Sequence, residues 1–333
     1  MKQNNNTITD VPGIKVGHIQ NLEALTGCTV ILTEAGATGG VDQRGGAPGT
    51  RETDALRPMH LVEKVHGVIL SGGSAFGLDT ASGVMKYLEE KNIGVNTGFG
   101  KVPIVPSAIL FDLGVGKSMI RPDAQMGYEA CQIATDNNCE QGNVGAGTGA
   151  TVGKILGMKQ AMKSGVGTAS MEIGNGVIIG AIIAVNAFGD IVTPIGGEIL
   201  AGARSMRSGL IKIGSPGRFA DTMRVLKTLA GRSIMRFASK QNTVIGVVGT
   251  NAVLTKNEAN KVAQMAHNGL AMTIRPAHTM FDGDTIFALA TNRRKIDANI
   301  VGAFASEVVS KAIINGIMAA QSIPGFPAAN EYP

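Results

Sequence analysis

"TVIGVVGTNAVLTKNE" (residues 243–258) carries the pattern on which the fold turns. Thr243, Val244, Ile245, Val247 and Val248 are β-branched and favour extended backbone, so the stretch opens as a buried strand. Thr255, followed three residues later by Glu258, has capping-box spacing and predicts a helix from residue 256. Gly246 and Gly249 interrupt the strand, and the second stands directly before a hydroxyl residue, Thr250. Glycine weakens a strand interior and marks a bulge or a close backbone approach. One reading of Gly249-Thr250 is therefore a bulge in a core strand. The other is chemical. With the bond between them broken, Thr250 would carry a hydroxyl nucleophile and a free α-amine of pKa about 7.7–8.0, a base for its own hydroxyl. Glycine in front permits the strained peptide in which the hydroxyl reaches the preceding carbonyl.

Working outward, "HGVILSGGSAFGLDTASGVMKYLEE" (66–90) reads as strand, glycine turn and helix, with Leu78, Ala81, Val84, Met85 and Leu88 on one stripe. Further helices are predicted over 123–135, 256–271 and about 296 to 320. "GNVGAGTGATVGK" (142–154) is a glycine-rich loop. Residues 166–194 read as strands with Phe188-Gly189-Asp190 as a turn, and 279–291 as a turn feeding a strand. Strands and helices mix without a regular βαβ repeat. That predicts a single layered α/β domain over 1–333 with largely antiparallel or mixed sheet.

The 333 residues are 44% hydrophobic and hold no Trp, so a large core must be aliphatic. Net charge is +5. Between Arg204 and Lys240, nine basic residues (Arg204, Arg207, Lys212, Arg218, Arg224, Lys227, Arg232, Arg236 and Lys240) face one acid, Asp221. With only Phe219 and Phe237 as aromatics, the run reads as a solvated face, not a nucleic-acid surface. Cys28, Cys131 and Cys139 are odd in number and lack metal-ligand spacing, as expected of reduced thiols in a cytoplasmic protein. The start, MKQNNNTITDVPG, lacks a signal-peptide apolar region, and Val177–Val185 is too short to span a membrane, so no membrane partner is expected.

Familiar motifs fail on their letters. Gly147 lies one residue too far from Gly153-Lys154 for a Walker loop, and Ile155 replaces its hydroxyl. "GAGTGA" is not a dinucleotide fingerprint. "GGSAFG" around Ser74 puts Phe76 where a nucleophile elbow needs glycine. His18, His60, His66, His267 and His278 are scattered, which gives little support to histidine catalysis or a metal site. "FDGD" (281–284) lacks the remaining ligands of a calcium loop.

The sequence resembles the L-aminopeptidase/D-esterase family of self-processing hydrolases, which includes β-aminopeptidases and nylon-oligomer hydrolases. The resemblance rests on "DVPGIKVGH" (10–18), "RGGAPGTRETD" (44–54), "LSGGSAFGLD" (70–79), "GNVGAGTGATVGK" (142–154), "VNAFGD" (185–190), "VVGTNAVLTK" (247–256) and "FDGDTIFALAT" (281–291). It implies a four-layer α/β/β/α sandwich similar to N-terminal nucleophile hydrolases, with no cofactor. It also implies cleavage between Gly249 and Thr250 into 1–249 and 250–333, assembled as a tetramer of cut pairs.

Carried over by position, Thr250 is the implied nucleophile. Asp282 and Asp284 match the acidic pair that follows it, Asn186 an oxyanion-hole asparagine, and Lys154 a lysine near the nucleophile. Phe111 stands where some relatives have a tyrosine donor. A carboxylate can orient the new α-amine and tune it, and a buried pair would share a proton unless a cation compensates. The plainer readings are a surface lysine for Lys154, and turn-shaping for Asn186 and for the aspartates.

The function expected is hydrolysis of small peptides, amides or esters through an acyl-enzyme. Alternatives are an endo-type aminohexanoate-oligomer hydrolase, an acyltransferase of the ornithine acetyltransferase type, and an inactive ligand-binding protein.

Overall fold

The computed structural model describes residues 5–208, 211–213, 218–229, 231 and 242–332. Its centre is a nine-stranded sheet of β1 (Lys15–Asn21), β2 (Thr26–Gln43), β3 (Thr50–Arg51), β4 (Val65–Ser71), β5 (Ser107–Ile109), β6 (Val166–Glu172), β7 (Ile178–Asn186), β8 (Thr243–Ala252) and β9 (Thr285–Arg294). Hydrogen bonding runs β6-β7-β8-β9-β2-β4-β5-β3, with β1 also on β2. The pairs are antiparallel except β8 with β9 and β4 with β5.

The long β2 serves two halves. Its first part pairs with β1 and β4 and its last part with β9. Side chains alternate along each strand, so each half has two faces. One half packs Cys28, Val30, Leu32 and Ile69 against α1 (Thr80–Glu90) and α2 (Ala124–Gln132). The other packs Ile179, Ala181, Val244, Val248, Ile286 and Ala288 against α3 (Lys256–Thr273) and α4 (Ala298–Met318). The two inner faces meet in a third cluster containing Ile31, Val68, Leu70, Ile182, Ala184, Ile245, Val247, Phe287 and Leu289. Helices, sheet, sheet, helices: this is the expected four-layer α/β/β/α sandwich.

The capping box forms as predicted: Thr255 Oγ1 accepts from Glu258 N (3.3 Å), and Glu258 Oε2 accepts from Thr255 N (2.7 Å). By length and composition α4 could cross a membrane. Here Val301, Ala305, Val308, Ala312 and Ile313 are buried under the sheet and α3. Of the basic run, Arg218, Arg224 and Lys227 are exposed. Arg232, Arg236 and Lys240, and the side chains of Arg207 and Lys212, lie outside the described residues.

Candidate active site

Thr243 is the first residue of β8, and Asn186, the last of β7, is its antiparallel partner. Thr243 continues the Ile245/Val247 row and Asn186 the Ile182/Ala184 row, so both face the gap between the sheets. Ahead of β9, the turn Thr279–Asp284 runs beneath them. There Gly283 N–H donates to the carbonyl oxygen of Asn242 (3.0 Å). The Thr243 hydroxyl donates to the same oxygen, the carbonyl of its own preceding residue. A Cβ on Gly283 would lie 2.9 Å from Thr243 Oγ1 and 2.7 Å from Ala47 O, so glycine is needed for this approach.

The two aspartates flank that glycine, and both are buried. Asp284 Oδ1 accepts from Val244 N (2.9 Å), while Oδ2 meets His278 N (3.0 Å) and His278 Nδ1 (2.8 Å). Asp282 Oδ2 accepts from Thr279 N (2.9 Å) and Thr279 Oγ1 (2.6 Å). Burial first, and then the Asp284 charge, push Asp282 up to about 6. "RGGAPG" folds over this turn, Arg44 N and Ala47 N donating to the carbonyls of Asp284 (3.0 Å) and Asp282 (2.8 Å).

Lys154 closes the other side. It is 3% exposed, which rules out a surface lysine. Its Nζ donates to Asn186 O (3.1 Å) and Asn186 Oδ1 (2.6 Å). Burial pulls it down to about 7, against Asp282 and Asp112, which favour its charged form. Asn186 Nδ2 donates to the Phe111 carbonyl (3.1 Å). Phe111 therefore contributes its backbone, and the amide expected at the oxyanion is turned toward it. Next to Phe111, Asp112 is buried and accepts from Thr26 Oγ1 (2.6 Å) and Gly73 N (2.7 Å). Lys163, also buried, ties the glycine-rich loop by donating to the carbonyls of Gly147 (2.9 Å) and Ala150 (3.1 Å).

Asp282, Asp284, Asn186 and Lys154 thus come together, but Gly249 and Thr250 do not join them. Thr250 lies about 23 Å further along the same strand at the usual rise per residue. Its register partner is Ile179, at the far end of β7 from Asn186. Its hydroxyl donates to Ile178 O (2.9 Å) and accepts from Ala252 N (3.1 Å), where the pairing with β9 shifts register. The bulge reading fits there, and the separation sets Thr250 apart from the four residues expected beside it. Gly246 answers to packing, since a Cβ there would come within 2.8 Å of the Ile182 carbonyl oxygen, while one on Gly249 would meet only the ends of the Ile14 and Ile8 side chains.

Thr243, Gly283, His278, Asp112 and Lys163 were not singled out from the sequence. Asn242-Thr243 carries no glycine, so nothing local distinguishes it from an ordinary strand start. The usable signal is register: β8 and β9 run parallel, so residues just before β9 must meet residues just before β8. Of the scattered histidines, His278 reaches this turn and hydrogen-bonds Asp284 directly. Among the described residues, no group of three or more His, Cys, Asp or Glu is placed to hold a metal.

The chain is 41% identical to an uncharacterized aminopeptidase of Mycobacterium leprae, covering 97% of this chain and 92% of the relative. It is 31% identical to a 6-aminohexanoate-oligomer endohydrolase of Kocuria, covering 92% and 84%. Among solved structures, the L-aminopeptidase D-Ala-esterase/amidase of Ochrobactrum anthropi, described as a variant of the Ntn hydrolase fold, superposes with TM-score 0.70 at 18% identity. That match covers 99% of this chain and 92% of the other. A Burkholderia β-aminopeptidase gives TM-score 0.65 at 21% identity, covering 96% and 88%. The model of peptidase family S58 matches residues 6–330, and with the four-layer fold and these relatives the chain belongs to that family of hydrolases.

Proposed function

We propose that this hydrolase cuts itself between Asn242 and Thr243 and then uses Thr243 as an amino-terminal nucleophile on amides of small amino compounds. The observation that carries the reading is the Thr243 hydroxyl set on the carbonyl of its own preceding residue, with Gly283 N–H on the same oxygen. In the uncut chain, Thr243 Oγ1 attacks the Asn242 carbonyl carbon, and Gly283 N–H steadies the charge on the oxygen. Lys154, poised near neutrality, takes the hydroxyl proton and returns it to the departing nitrogen of Thr243. Water then hydrolyses the ester, releasing the Asn242 carboxylate and the Thr243 hydroxyl beside the α-amine freed in the shift.

In turnover that amine serves as base for Oγ1, the acyl group passes to Thr243 as an ester, and water releases it. The buried carboxylates of Asp282 and Asp284 orient the amine and balance Lys154. Intact-mass analysis of purified protein tests the cut. Fragments 1–242 and 243–333 are expected without added protease; a chain that stays whole while active would refute the mechanism.

Asp282 gives this processing a pH signature. Its folded value lies above the ordinary one, so it favours the folded chain at low pH and progressively less as pH rises through about 6. Above that value it is ionised, faces Lys154 and supports the proton transfer. Self-cleavage of freshly refolded chain is expected to speed up with pH between about 6 and about 7, as Asp282 ionises and Lys154 loses its proton, and Asp282→Asn to remove the lower part of that rise. A wild-type rate flat across this range would remove Asp282 from the step.

For turnover, the acidic pair suits a substrate with a free ammonium, in line with the aminopeptidase relatives. Alanine p-nitroanilide is expected to be cleaved at least about tenfold faster than its N-acetyl form, the scale of losing a charge-assisted contact. The Kocuria relative's name favours a second reading, endo-type cleavage of aminohexanoate oligomers. Equal cleavage of the blocked compound would select it.

A further inference from the structure

We propose that His278 is a positioning residue: its imidazole holds the Asp284 carboxylate so that the start of β8, and Thr243 with it, stays aligned for self-cleavage and turnover. The inference rests on the reading of Thr243 as nucleophile. Asp284 links this turn to the residue after Thr243, its Oδ1 accepting from Val244 N (2.9 Å). The opposite oxygen, Oδ2, is held twice by one residue, by the His278 N–H (3.0 Å) and by His278 Nδ1 (2.8 Å). A carboxylate gripped on one oxygen by a side chain and its backbone cannot rotate, so its other oxygen keeps its direction.

The histidine is itself fixed. It adopts φ +58°, a left-handed conformation few residue types enter readily. Its ring packs edge-on against that of His267 on α3, with centroids 4.8 Å apart and planes at 73°. His267 is fully buried, bonds the Asp42 carbonyl through Nε2 (2.9 Å), and is held neutral by burial, which pulls it down to about 4. The carbonyl accepts, so His267 is protonated on Nε2 and turns an uncharged edge toward His278. His278 Nδ1 donates to Asp284 whether or not Nε2 carries a proton, so the arrangement does not depend on the charge of the ring.

Three substitutions separate this role from mere bracing. His278→Gly accepts the positive φ and removes the ring. His278→Asn also accepts it and places an amide donor near the position of Nδ1. His278→Gln carries its amide beyond that position. Self-cleavage and kcat are expected to fall by about tenfold or more in the Gly and Gln variants, with KM within about twofold. The Asn variant is expected to stay within about threefold of wild type. Should the Gly variant not fold, the comparison of Asn with Gln decides.

Wild-type rates in the Gly or Gln variant, or a folded Asn variant as slow as Gln, overturn the proposal. A wild-type chain yielding no fragment that begins at Thr243 overturns the underlying reading instead.

Discussion

Thr243→Ala is expected to remain one uncut chain and to lose turnover by about 10⁴-fold or more, the scale of removing a catalytic nucleophile. The change deletes the hydroxyl set on the Asn242 carbonyl and leaves the surrounding strand intact. Thr250→Val is the matched control. It removes the hydroxyl that bridges Ile178 O and Ala252 N, leaving a buried donor and acceptor unpaired. That should cost about 1–3 kcal/mol of stability while processing and turnover continue. Denaturing gels, intact mass and a thermal melt read both variants together. Cleavage in Thr243→Ala, or a block in Thr250→Val, would return the chemistry to the downstream threonine.

Gly283→Ala is expected to slow self-cleavage by about 100-fold, because small displacements of reacting groups cost rates of that order. The added methyl would come within 2.9 Å of Thr243 Oγ1 and 2.7 Å of the Ala47 carbonyl, and backbone on that side cannot yield cheaply. The turn must back away, and the Gly283 N–H then leaves the Asn242 oxygen. A time course of fragment appearance measures the effect; an unchanged rate would show that this N–H is not what steadies the carbonyl.

Most of the architecture was legible because it rests on local periodicity. The 243–258 stretch announced its strand and its capped helix, and both stand where expected. The aspartates, Asn186 and Lys154 were expected because the family resemblance carries them over by position, and they converge as a set. The proposed nucleophile was not singled out because Thr243 and Thr250 lie on the same strand and the glycine before Thr250 favours the second. Only the parallel pairing of β8 with β9 decides between them, and pairing is a long-range property. Asp112 and Lys163 escaped for a related reason: a lone charge gives no sign of burial until the loops that enclose it are placed.

The position of β8 governs what a cut there does to the molecule. β8 lies in the interior of the sheet, laddered to β7 on one side and to β9 on the other. The piece that begins at Thr243 would carry β8, β9, α3 and α4, while β7 and β2 on either side belong to the other piece. Breaking one peptide bond therefore releases an end without releasing a part. What changes is the order of the unfolding reaction. An intact chain unfolds to one product, whereas the cut protein must come apart into two, so its stability acquires a dependence on protein concentration that the precursor lacks. Processing at Thr243 would thereby turn an intramolecular fold into an obligate complex of two chains.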